Sequence, residues 1–168
     1  KMPARQGQYW LAAGIQFESY GMVRGDVIAS VIFGNTLRAD LMGKAVLDLD
    51  AGSRKSMGEN SGSLVLAHAV LLIHASFLPE AGLIAVTAML GGESYLLSKD
   101  CHITGGFACY IWYDKEHKGD FVITLGGYHK SYRKPEHYPT VEPLGLKWQI
   151  TNELLIQGNI YFALTPAN

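Results

Sequence analysis

Charge is scarce in this chain. Only 17% of its 168 residues are Asp, Glu, Lys or Arg, and the formal net charge is −1. A balance so close to zero excludes a global field that would draw the whole surface to nucleic acid or anionic lipid. Cysteine is scarce too, at two residues, Cys101 and Cys109. Along one extended strand they would lie about 26 Å apart, whereas a disulfide tolerates about 7 Å between Cα atoms. Two free, half-buried thiols are expected, and they favour a reducing compartment such as the cytoplasm. The absence of any Asn-x-Ser/Thr acceptor site agrees with that. Long apolar runs are missing as well. The nearest, Leu64 to Leu78, falls short of the about 20 residues a membrane-spanning helix needs and carries His68 and His74.

No signal or transit peptide is legible. The chain starts at Lys1 and stops at Asn168, directly after an apolar strand pattern. It reads as a single β domain over 1–168, cut from a longer polypeptide.

What is present is apolar residues (48%), nineteen glycines and period-two alternation. From Thr36 to Asp50 the odd positions are Leu37, Ala39, Leu41, Gly43, Ala45, Leu47 and Leu49, opposite a largely polar even set. That is the pattern of a half-buried strand. Tyr9 to Ser19 repeats it with Leu11, Ala13, Ile15 and Phe17 on one side. Asp26 to Phe33 is apolar on both sides and predicts burial on both faces. Gly34-Asn35 between these runs is hairpin chemistry, and Ala51 to Gly62 reads as an exposed polar loop. Leu64 to Phe77 is long enough for a helix, yet its alternation favours a strand, turned by Pro79 to Gly82 into Leu83 to Leu90. Further strands are predicted at His102 to Tyr113, Phe121 to Tyr128, Leu144 to Gln149 and Leu154 to Leu164. The expected fold is all-β, an antiparallel meander of about nine strands forming a curved, barrel-like or sandwiched sheet.

Sequence motifs for chemistry are lacking. There is no G-x-S-x-G elbow, phosphate loop, dinucleotide fingerprint or H-E-x-x-H. Ser131 to Lys134 matches S-x-x-K in form only, because Pro135 follows at once and that motif works from a helix start. His68 and His74 share a strand face but stand roughly 20 Å apart, too far to hold one metal. Asp40, Asp48 and Asp50 share a face with Arg38 and Lys44, as on a solvated strand. The reading leans away from an enzyme, with no catalytic residue, metal or cofactor assigned. A hydrolase or nuclease using His129, His137 and a nearby acid ranks last.

One stretch differs, Leu125 to Pro143, LGGYHKSYRKPEHYPTVEP. Tyr128, Tyr132 and Tyr138 offer flat rings suited to stacking on sugars or bases. Lys130, Arg133 and Lys134 add positive charge, and His129 with His137 adds a pH-sensitive element. These eight residues are the candidate ligand-binding set. The same composition also suits a purely structural loop, in which tyrosines clamp the segment to a sheet and prolines guard an edge.

The runs DCHITGGFACYIWY (Asp100 to Tyr113), GDFVITLGGYH (Gly119 to His129), LGLKWQI (Leu144 to Ile150) and IYFALTP (Ile160 to Pro166) occur in this order around the Pro/Tyr loop. Together with QYWLAAGIQF (Gln8 to Phe17), they resemble a family of very long bacterial and fungal proteins known only as a domain of unknown function. The resemblance implies a long β-rich parent and brings no catalytic residues. The expected function is a non-enzymatic β module that binds a small amphiphile or apolar ligand along its strand faces. The alternative is a released lectin-like, inhibitor-like or cytotoxic protein that binds a glycan through residues 128–138. No specific nucleic-acid partner is predicted. A membrane-spanning barrel is disfavoured because the alternation is uneven, and exposed strand edges suggest a homodimer.

Overall fold

The structure, a computed structural model, describes residues 7–50 and 65–166. The polar segment Ala51 to Gly62 lies outside them. The described residues form twelve strands: β1 (Gln8–Ser19), β2 (Val23–Gly34), β3 (Arg38–Asp50), β4 (Val65–Leu78), β5 (Leu83–Leu90), β6 (Tyr95–Leu96), β7 (Ser98–Thr104), β8 (Gly106–Trp112), β9 (Phe121–Leu125), β10 (Leu144–Gln149), β11 (Leu155–Ile160) and β12 (Phe162–Leu164). All belong to one sheet and every pairing is antiparallel. Among the described residues, no helix is long and apolar enough to cross a membrane.

The twelve segments align as eight long rows. β1 to β4 are one row each, paired in sequence order. β5 and β6 lie in line along one edge of β4, with Leu90 opposite Leu71 and Tyr95 opposite His68. The bulge between them is held at Val70, whose N–H donates to Ser94 Oγ at 3.0 Å and whose carbonyl accepts from the Gly91 N–H at 2.7 Å. β7 and β8 form the next row, broken only at Gly105. Its φ of 139° suits glycine, and a Cβ there would meet Leu144 Cα at 2.7 Å. β9 with β10 and β11 with β12 complete the set.

Four expectations change. The run His102 to Tyr113 is not one strand, because Gly105 divides it; with the break of Leu154 to Leu164 at Tyr161 and the short β6, the meander of about nine strands is drawn as twelve segments. The cysteines therefore sit on different segments; both are free, but Cys101 is fully buried rather than half-buried. β2 is not buried on both faces: Ile28 is 56% exposed. Its central place in a meander covers its edges, not its faces. And the sheet is neither closed into a barrel nor doubled into a sandwich. Leu64 to Phe77, in contrast, is strand β4 from Val65, paired along both edges.

Register sorts side chains onto two unlike faces. One carries the cross-strand row Ala13, Ala29, Leu41, Ala75, Val86, Cys109, Ile123, Leu164. Beside it run Ile15, Val27, Gly43, Ile73, Ala88, Phe107, Leu125, Phe162 and Leu11, Val31, Ala39, Phe77, Ile84, Ile111, Phe121. None of these residues is charged or carries a polar side chain other than the Cys109 thiol. The opposite face carries the row Asp48, His68, Tyr95, His102, Lys147, Gln157. There the described residues build a small core, where Trp112, Val122 and Tyr138 pack with Leu83, Tyr110 and Tyr128.

Candidate functional site

The segment between β9 and β10 folds over the polar face. Leu125 lies opposite Phe107 and Gly145 opposite Thr104, so Gly126 and Leu144 are successive positions in the register. A Cβ on Gly126 would reach Leu144 N at 2.6 Å. Gly127 to Pro143 is thus an insertion in a strand that is otherwise continuous.

Four of the eight candidate residues anchor this insertion. Tyr138 stacks on Trp112 at 5.4 Å between ring centres, and its hydroxyl donates to Asp120 Oδ1 at 2.7 Å. His137 places its edge on Trp112 at 4.8 Å and donates from Nε2 to Asp120 Oδ2 at 2.7 Å. Lys134 Nζ donates to the Tyr138 carbonyl at 2.7 Å, closing the loop on itself. Tyr128 packs under Tyr132 with ring centres 5.7 Å apart, and its buried hydroxyl has no hydrogen-bond partner among the described residues. The other four, His129, Lys130, Tyr132 and Arg133, are exposed at the tip. His129 accepts from the Ser131 N–H at 3.1 Å and packs near Tyr161, whereas His137 bonds Asp120. The two histidines have separate partners and share no acid.

Electrostatics follows these contacts. Burial acts to raise the Asp120 carboxyl, but hydrogen bonds from Tyr138 and His137 outweigh it and hold it below the ordinary range. Burial pushes the Tyr128 hydroxyl up to about 12, with Tyr132 and Tyr110 adding to the effect. Tyr138 is raised by burial and then by its bond to Asp120.

At the foot of the insertion lies a groove of about 440 Å³, within the size range of ligand pockets. Met42, Leu72, Thr87 and Met89 line the sheet side, and Thr140 to Glu142 form the wall. Nearby, Ser76 Oγ stands 3.1 Å from His74 Nε2 and 2.6 Å from Asp40 Oδ1. This superficially resembles a nucleophile triad. Asp40, however, approaches the same Nε2 at 3.3 Å, whereas a triad acid must hold the other ring nitrogen. Ser76 donates to Asp40, which Arg38 also grips through two nitrogens. The trio is a polar cross-strand network.

A family model matches residues 1–168, the full length of the chain. The chain belongs to DUF6603, a family of unknown function. No curated protein and no solved structure matches it. In this DUF6603 chain, sequence reasoning missed Trp112 and Asp120, the platform and anchor of the loop, because they read as a strand end and a turn. It also missed Met42, Leu72 and Met89. Their even or odd places in three separate strands were visible, but not their meeting under one loop.

Proposed function

We propose that this chain is a non-enzymatic β-rich binding module that holds the apolar part of an amphiphile against its charge-free face. One observation carries the reading: three cross-strand rows without a charge run across the sheet, and no second layer from the described residues covers them. Eight rows about 4.8 Å apart, with three same-face positions about 6.6 Å apart along each, make a charge-free area on the order of 750 Å². Soluble monomers rarely leave an apolar patch above about 600 Å². Each methylene moved from water onto such a surface gains up to about 0.8 kcal/mol. A lipid-like chain therefore gains enough from many weak contacts to be retained without a deep cavity.

Native mass spectrometry, followed by spectra of the denatured sample, tests this. Extra mass that vanishes on denaturation is expected, and Val86→Lys with Ile123→Lys should abolish it while leaving the circular dichroism unchanged. A chain that carries its bare sequence mass and takes up no added fatty acid would overturn the proposal.

A second reading keeps the insertion as the functional part, in a released lectin-like, inhibitor-like or cytotoxic protein. It is favoured by the split between four anchored and four exposed residues, since a fixed base presenting Tyr132 and Arg133 suits glycan stacking. Glycan binding that survives Tyr132→Ala with Arg133→Ala would exclude it.

A further inference from the structure

Among the described residues the sheet ends on two rows that are paired along one side only, β1 and the β11–β12 row. Natural edge strands carry prolines, lysines, bulges or a covering segment that stop another strand from adding. Among the described residues neither edge strand carries a proline or a lysine, and no further strand pairs with either. β1 is an unbroken twelve-residue strand without proline, and its one charged residue is Glu18. β11 and β12 carry no charge and no proline. Their side chains stand out on both faces: Trp10 and Leu11 are each 66% exposed, Tyr161 44% and Phe162 56%.

Two further properties of the register make these edges complementary. Seven antiparallel pairings separate the first row from the eighth, so the two edge rows run in opposite directions. Ala13 and Leu164 lie in one cross-strand row and Ile15 and Phe162 in the next, so both edges present the apolar face on the same side. A copy shifted sideways by one sheet width would set its β1 antiparallel to the β11–β12 row of its neighbour. The alternation of strand direction and the charge-free face would both continue across the joint.

We propose that the chain associates head to tail by strand addition, β1 of one copy pairing with the β11–β12 row of a second copy. The contact is heterologous, so it leaves one free β1 and one free β11–β12 edge at the ends of each assembly. The inference does not depend on amphiphile binding, since it uses backbone edges and not the apolar face.

Sedimentation velocity in a non-ionic detergent tests it, because detergent occupies apolar faces and leaves backbone edges to pair. Successive residues of an edge strand aim their N–H groups alternately inward and outward. Of Ala12→Pro and Ala13→Pro, one therefore removes only an outward N–H and spares the fold. Gln157→Pro and Gly158→Pro form the same pair on β11. In each pair, the member that keeps the wild-type circular dichroism and melting curve serves as the edge block. The wild type is expected to form concentration-dependent species above the monomer, and each block alone to leave only monomer. Mixing the two blocked proteins should restore a dimer and nothing larger, because each supplies the edge the other lacks. A wild type that stays monomeric at every concentration overturns the proposal. So does an assembly that survives the β11 block but not the β1 block, which would mean that two β1 strands pair with each other.

Discussion

Asp120 ties the insertion to the sheet. Its carboxylate accepts from the Tyr138 hydroxyl and from His137, and both rings rest on Trp112. Tyr138→Phe keeps the stacking and removes one donor from a partly buried carboxylate. It should cost about 1–3 kcal/mol in urea unfolding. Tyr128→Phe should act in the opposite direction, because the hydroxyl it removes is buried without a partner. That variant should gain on the order of 1 kcal/mol and bring the loop no looser. Among the lowered carboxyls, Asp40 is shifted furthest. The Arg38 hydrogen bonds, against the opposing effect of burial and with help from Ser76, hold its pKa at about 2. A folded-state value below the unfolded one, about 3.9, means stability that is fully present at neutral pH. It is lost as pH falls from about 4 toward about 2. Thermal melts of Asp40→Asn should therefore start lower at pH 7 and lose less than the wild type across that window.

At the scale of elements, the decisive feature is the strand that is interrupted without losing its place. β9 and β10 resume the same register on both sides, against β7–β8 and against β11–β12. A variant that joins Gly126 directly to Leu144 should keep all eight rows, with unchanged far-ultraviolet circular dichroism. It should unfold at lower urea, because Trp112 and Val122 lose their cover, and it should lose the groove wall of Thr140 to Glu142. Retained wild-type stability would mean the insertion is not part of the core. Alternation within one row is legible in the sequence, which is why the expected bounds of β1, β3 and β4 fall within two residues of the observed ones. Continuity across a gap is not, since the match of Leu125 and Gly145 to Phe107 and Thr104 depends on a neighbouring strand. The candidate site divided in the same way. Its tyrosines stood out by composition, but only the fold separates Tyr138, which clamps, from Tyr132, which is exposed.

Among the described residues the strands form one sheet with no second sheet packed on it. Only seven hydrophobic residues are buried among those described, from Ala67 to Tyr138. Denaturant sensitivity scales with the surface exposed on unfolding. The urea m-value should thus fall below that of a two-layer domain of equal length, and rise when a bound amphiphile or detergent covers the charge-free face. An unchanged m-value under both conditions would mean that face is already covered in solution.

The meander has a kinetic consequence. Every row pairs with the row next to it in sequence, so each can form on the one before it, as a zipper closes. Contacts this local allow quick folding in an all-β chain, a class slowed by distant pairings. The exception is the seventh row. Its second half must wait until Gly127 to Pro143 has closed on itself, and the entropy of that closure marks where the zipper catches.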